Sequence, residues 1–153
     1  SLLTPNELFY PFLVNDKPYQ ISDLVGNYMT EKYTSSDWTS YHNIFADNTA
    51  QLFSNQLEFN SYGQGNHKWQ QEQDGSITVL YGWQCDRSMT FTSCAAHLER
   101  RFKQGESVTI SYRNFKIVKK TDNYTYVQSS YSFQSKTQRT MFESVVRWIN
   151  VKK

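Results

Sequence analysis

From residue 66 onward the chain is written in runs whose apolar and polar residues alternate. That period of two constrains the fold more than anything else in the sequence. Residues 108–119, 124–133 and 140–151 are each long enough for an extended strand, and 90–102 reads the same way. Short polar separators divide the runs: Gly105-Glu106, Thr121-Asp122-Asn123 and Lys136-Thr137-Gln138. Asp74-Gly75, between HKWQQEQ and SITVLYGWQ, has the chemistry of a tight hairpin turn. Within 108–117 the apolar positions pass from 108, 110 and 112 to 115 and 117. That slip of one residue predicts a bulge that bends the strand.

The first part of the chain reads differently. All three prolines, Pro5, Pro11 and Pro18, fall in SLLTPNELFYPFLVNDKP, so residues 1–20 are expected as an extended arm with an edge strand near Phe12-Leu13-Val14. Ser22 followed by Asp23 is a helix start, a capping hydroxyl and then an acid on the positive end of the dipole. Leu24, Tyr28 and Met29 follow at helical spacing. A second start lies in TSSDW, with Ser35 or Ser36 as cap and Asp37 in the first turn. Trp38, Tyr41, Phe45 and Leu52 then recur at i, i+3, i+7 and i+14, predicting a core-facing helix to about Ser54. The expected architecture is α+β in a single domain over 1–153: helices over 21–60 packed on one face of a curved antiparallel sheet over 66–153.

Composition excludes several classes. With 11 Tyr, 10 Phe and 4 Trp in 153 residues, the chain is too aromatic for a disordered segment. A net charge of +2 gives no reason to expect a polyanion partner, but its distribution is uneven. Residues 1–76 carry three Lys and nine Asp/Glu, a balance of −6; residues 77–153 carry thirteen Lys/Arg and five Asp/Glu, a balance of +8. The two halves should attract each other within one molecule or between molecules. No apolar run reaches the length of a membrane span, and no signal peptide is visible.

Both cysteines lie in CDRSMTFTSC. If residues 77–85 pair with 91–98 around a turn near Ser88-Met89, Cys85 faces Cys94, with Trp83 opposite Ala96 and Tyr81 opposite Leu98. Cysteines opposed on adjacent strands have the separation a disulfide needs. A structural disulfide is the first reading, two buried thiols the second and a reactive pair the third. A disulfide implies an oxidising compartment such as the periplasm. Metal binding would need two more ligands; His97 is near in sequence but on the opposite face of the expected strand, and no other His or Cys is close. His42, His67 and His97 are scattered and read as structural. No catalytic or phosphate-binding motif is present.

One resemblance is carried by Pro11-Phe12-Leu13-Val14-Asn15-Asp16-Lys17, by Tyr28-Met29-Thr30-Glu31-Lys32-Tyr33 and by Leu52-Phe53-Ser54. Over residues 9–62 the chain resembles the periplasmic domains of the bitopic inner-membrane assembly factor of bacterial type IV secretion systems. These open with a Pro-aromatic strand, continue with a helix bearing Tyr-Val-x-x-Arg-Glu-x-Tyr and end a second helix near Leu-Ser-Ser. Lys32 stands where that motif has Arg. The family's Asn-Pro-x-Gly motif is missing, since no proline follows Pro18, so the resemblance does not carry over a dimer contact made through that motif.

The resemblance implies a roll like that of nuclear transport factor two and the cystatins. It also implies a non-enzymatic scaffold on the periplasmic side of the inner membrane, without cofactor or metal. The chain starts at Ser1 rather than Met and reads as a piece of a longer protein, and the resemblance implies a membrane anchor upstream of it. The implied partners are other secretion components and a second copy in a weak homodimer. Tyr28, Glu31, Lys32, Tyr33 and Trp38 are the contact candidates, with plain helix packing as the competing reading, favoured for Tyr28 and Trp38.

Two other functions compete. A roll can enclose a pocket for a small ligand or a reaction, using Asp37, Asp47, His97 or Glu143 on an inward face. The basic-aromatic stretch SYRNFKIVKK, with KTQR and RWINVKK, could stack single-stranded nucleic acid. No nucleic acid is expected, because a sheet with aromatics inward and charges outward produces the same text.

Overall fold

The computed structural model describes residues 20–32, 34–60, 63, 65–135 and 139–152. The proline-bearing arm, with its expected edge strand, and Tyr33 lie outside them. Eight antiparallel strands follow one another in chain order: β1 (Gly26–Thr30), β2 (Tyr41–Ile44), β3 (Thr49–Ser54), β4 (His67–Gln71), β5 (Ile77–Leu80), β6 (Ile110–Lys120), β7 (Tyr124–Gln134) and β8 (Arg139–Asn150). The eighth returns to the first, so the sheet closes into a barrel. Two helices accompany it, a single turn α1 (Ile21–Leu24) before β1 and α2 (Phe91–Lys103) between β5 and β6.

The expected α+β roll is therefore corrected to a closed β-barrel, and the 21–60 helical region to the single helical turn α1, three strands and their connections. The stripe from Trp38 to Leu52 matched a helical period by coincidence across two strands and a turn. Trp38 is 89% exposed, where a core-facing helix would have buried it. The turn between β2 and β3 is set by Asp47-Asn48-Thr49. The Asp47 carboxylate accepts from the Thr49 N–H at 3.0 Å, and Asn48 adopts φ 67°, a conformation asparagine tolerates. Tyr, Ile, Thr and Phe on either side suit a pleated surface better than a helix. Of the stretches that carried the family resemblance, 28–32 belong to β1 with the segment after it, and 52–54 to β3. The helical motif they suggested does not form.

The second half keeps more of its expected form. Asp74-Gly75 makes the β4–β5 turn, with Gly75 at φ 84° and the Asp74 carboxylate accepting from Ser76 N at 2.9 Å. The runs at 108–119, 124–133 and 140–151 become β6, β7 and β8. The run at 90–102 does not become a strand: it is α2. Thr90 and Ser93 form a reciprocal capping box, and Cys94 and Leu98 bury one face four residues apart. After Thr92 this stretch holds no β-branched residue, and Ala95, Ala96, Leu98, Glu99, Arg100 and Arg101 are good helix formers.

Helix α2 lies on the outside of the barrel and explains the slip in β6. Leu80, Cys94, Leu98 and Ile110 form one buried cluster with Tyr112 and Phe102 against it, on the outer face. Phe115 and Ile117 belong to the interior cluster, with Tyr28, Leu52, Trp69, Val79 and Trp148. The apolar phase changes because the covered face changes, not because the strand bulges at 112–115. The actual register shift between β6 and β7 falls between Ile117 and Lys119.

Cys85 and Cys94 are bonded, with S–S 2.06 Å and Cα–Cα 5.7 Å. The elements that bring them together are a turn and the first turn of α2, rather than two facing strands. Cys94 is fully buried under the helix, so the bond ties the 85–90 connection to the outer cluster. Closing so short a loop stabilises by about 2–3 kcal/mol in the chain-entropy model. Reduction, or Cys85→Ser together with Cys94→Ser, should lower the urea unfolding free energy by about that amount. Unfolding curves unchanged by reduction would show that α2 is held without the bond.

Candidate functional site

Alternation along the closed strands divides the residues into those inside the barrel and those outside. Register places Tyr28 opposite His42, Val79 opposite Arg113, Phe115 opposite Ser129, and Ser129 opposite Ser144. These form an inward set, with Trp148 of β8 opposite Thr30 of β1. A buried cluster that includes Leu24, Trp69, Ile77 and Val79 fills part of the interior. Beside it lies a cavity of about 110 Å³ lined by His42, Phe53, Arg113, Phe115 and Trp148, with Ser129 and Ser144 on its wall.

His42 is the unusual member. It is 1% exposed, and among the described residues neither ring nitrogen has a hydrogen-bond partner. Its imidazole stacks on Trp148 at 4.7 Å and 16°, and meets the rings of Phe53 at 4.8 Å and Phe115 at 6.2 Å edge-on. Burial first, and the Arg113 charge second, push its pKa down to about 3. The ring is therefore neutral near pH 7, with an unpaired donor and an unpaired acceptor buried among aromatic rings at the cavity wall. Each such group costs about 1–3 kcal/mol.

Arg113 stands across the cavity. Its guanidinium lies 4.8 Å from the Phe53 ring centroid and 4.6 Å from that of Tyr131, held by two cation–π contacts. Its buried Nε likewise lacks a hydrogen-bond partner, and among the described residues no ion pair joins it to a carboxylate. Burial raises the Tyr81 hydroxyl above its ordinary value, with Arg113 working against that shift. Three buried nitrogens without partners thus surround one cavity.

Phe53 reaches the cavity through a local irregularity. The β2–β3 register shifts between Tyr41 and Asn43, putting an extra residue into β3, and Phe53 there has φ 55°. A bulky residue in the left-handed region is strained, and such strain gathers at sites where a side chain must be re-aimed. The opening lies where β1 ends. The last β1–β8 pair is Thr30 with Trp148, and the wall next to it is Thr30, Glu31, Val146 and Arg147. Glu31 and Arg147 form a bidentate ion pair there, with Nε–Oε2 at 2.7 Å. The Arg147 guanidinium lies 4.1 Å over the Tyr124 ring, and its link to Glu31 holds its pKa above the usual range.

The residues singled out in the sequence fare variously. Tyr28 is buried, its hydroxyl donating to Leu24 O at 2.8 Å, so it is not a contact residue on the surface. Glu31 is committed to Arg147, while Lys32 and Trp38 are exposed. Of the four inward candidates, Asp37 accepts from Thr34 N in a surface turn, Asp47 shapes the β2–β3 turn, and His97 sits on α2 outside the barrel. The side chain of Glu143 lies outside the described residues. None of the first three reaches the cavity. Phe115 of the basic-aromatic stretch is buried inside, which removes it as a stacking platform for bases. His42 and Arg113 carry the site, although the sequence suggested a structural histidine and an outward charge. The one available signal was Arg113 standing in phase with Phe115 and Ile117.

Two further features are simpler. His67 accepts from Gly82 N at 3.1 Å and stacks on Tyr81 at 4.8 Å, and burial pushes its pKa down to about 4. A cleft outside the barrel, near the start of α2, is lined by Lys68, Arg87 and Thr90. There Lys68 Nζ already donates to Arg87 O and Thr90 Oγ1 already accepts from Ser93 N. Among the described residues no group of His, Cys, Asp and Glu could hold a metal ion, and no helix is long and apolar enough to cross a membrane.

Fold and site together define a small up-and-down β-barrel with an interior cavity. Comparison with protein-family models, with curated proteins and with solved structures returns no match.

The orphaned imidazole generates a stability prediction. The unfolded chain protonates His42 below about pH 6.5, while the native ring stays neutral down to about 3. Its native pKa is depressed, so acid favours the unfolded state, and stability falls as pH drops from 6.5 toward 3, by up to about 1.4 kcal/mol per pH unit. His42→Phe should raise the unfolding free energy at pH 5 by about 1–3 kcal/mol and flatten this slope. Chemical denaturation of both proteins between pH 4 and 8 measures it; a destabilised variant with an unchanged slope would mean that the ring has partners in solution.

Proposed function

We propose that the barrel is a non-catalytic binding protein that takes a small molecule, or one end of a longer one, into the cavity beside His42 and Arg113. The observation that carries this reading is the fully buried His42 ring, whose two nitrogens have no partner within the described residues. Folding tolerates such groups rarely, and where it does a partner from outside is the economical explanation. The aromatic walls, the two hydroxyls and the strained Phe53 backbone support it, since binding sites combine apolar surface with a few placed polar groups. At about 110 Å³ the cavity is smaller than the roughly 150 Å³ that houses benzene, so it suits a small ring or short chain that reaches toward the opening.

An assembly scaffold remains the function implied by the resemblance over residues 9–62. Its motifs, however, were read on helices that the fold replaces with strands.

Ring-sized probes, charged and neutral, should shift the backbone amide signals of residues 28–31, 42, 53, 113–115 and 144–148 in two-dimensional NMR spectra. Ser144→Phe, which fills the cavity from its wall, should abolish the shifts while leaving the rest of the spectrum in place. If no probe of either kind moves these signals at millimolar concentration in the folded protein, the cavity has no ligand function.

A further inference from the structure

We infer that the ligand is a monoanionic carboxylate, its charged end set between Arg113 and His42 and its apolar body against Phe53, Phe115 and Trp148. This rests on the reading of the cavity as a ligand site and adds the chemical class. The first support is charge. Arg113 brings a permanent cation to the cavity wall, and among the described residues no carboxylate pairs with it. The other cation on the wall, Arg147, is already neutralised by Glu31.

The second support is hydrogen bonding. Arg113 Nε is a buried donor without a partner, and a carboxylate accepts from guanidinium edges more strongly than any neutral group does. The faces of Arg113 are committed to Phe53 and Tyr131 and its side chain also hydrogen-bonds the Tyr81 hydroxyl, which leaves Nε as the unpartnered N–H for recognition. The His42 ring N–H supplies the second contact. The third support is size and lining: a cavity of about 110 Å³ walled mainly by aromatic rings, with one uncompensated charge, suits a single carboxylate on a compact apolar body. A phosphate ester would bring a second negative charge, and among the described residues the cavity wall offers no second free cation.

Proton linkage follows from the groups around His42. Arg113 faces it from β6, Tyr28 from β1, and the paired Glu31 and Arg147 line the same cavity; Phe53 and Trp148 bring no charge. Burial and Arg113 are the two causes that hold the ring neutral. A carboxylate placed between them opposes both, because it gives an imidazolium a partner and screens the guanidinium. Binding below about pH 6.5 therefore takes up a proton at His42.

Calorimetry with benzoate and its neutral isostere benzamide tests this on the unmodified protein. Benzoate should bind about tenfold tighter or more, the usual margin of a charge-assisted contact. Its enthalpy at pH 6 should vary with the ionisation heat of the buffer, reporting proton uptake. Arg113→Gln should remove the preference for benzoate. His42→Phe should remove the buffer dependence, and its fold can be checked by the same spectra used above. Hexanoate and dodecanoate separate two sources of the same chemistry: a gain in affinity on lengthening the chain means a fatty acid whose tail leaves by the mouth, and a loss means a compact acid.

Equal binding of benzoate and benzamide would overturn the carboxylate assignment and leave the cavity as a ligand site. A preference for benzoate that survives Arg113→Gln would overturn it as well. Absence of proton uptake would remove His42 from the contact. Binding of neither probe, with no spectral change from any ring-sized compound, would overturn both readings.

Discussion

Closure of the sheet is the constraint on which the rest depends. Five of the eight strands have only four to six residues, and short strands with open edges are neither stable nor safe from association. The barrel solves this by pairing β1 with the end of β8 through Tyr28–Asn150, Met29–Ile149 and Thr30–Trp148. That seam is narrow. Val151 N donates to Asn27 O across it, and on the other side of β8 Asn150 is fixed to the β6–β7 turn, its N–H donating to Asn123 O and its side chain to Thr121 O. Tyr28 and Trp148, on its two sides, meet at 5.1 Å in the interior. The same narrowness creates the mouth, because β8 runs on past the point where β1 stops.

The site is continuous with this seam. Trp148, which closes the barrel opposite Thr30, also forms the stacking wall for His42. The opposed charge halves of the sequence meet here too, since Glu31 from the acidic half grips Arg147 from the basic half. That pair stands at the rim of the cavity, with the Arg147 guanidinium against Tyr124. Seam, rim and binding wall therefore use the same few residues.

The sequence made some of this legible and not the rest. Asp74-Gly75 announced its hairpin because turn chemistry is local, and β6 to β8 announced themselves by length and alternation. Helix α2 was hidden because Phe91, Cys94, Leu98 and Phe102 can be read at either period; the Thr90–Ser93 capping box and the lack of β-branched residues decide it. The first three strands were hidden because four or five residues carry too little periodicity to outweigh a chance helical stripe. His42 and Arg113 were hidden for a deeper reason. Whether either side chain faces in or out depends on pairings with strands distant in the chain, and that parity is a property of the closed barrel.

The pairing of Val79 with Arg113 has a consequence for how such a protein could change. Ile110 and Tyr112 serve the outer cluster under α2, while Arg113 and Phe115 serve the interior, so adjacent residues of one strand belong to different compartments. Loss or gain of one residue between α2 and Arg113 would either exchange those compartments or push the offset into the connecting loop. In the first case the guanidinium would go to the outside and Tyr112 or Asn114 would come in, with composition and net charge almost untouched. A barrel of this kind can thus gain or lose an interior cation by a single-codon length change, a route that point substitution does not offer.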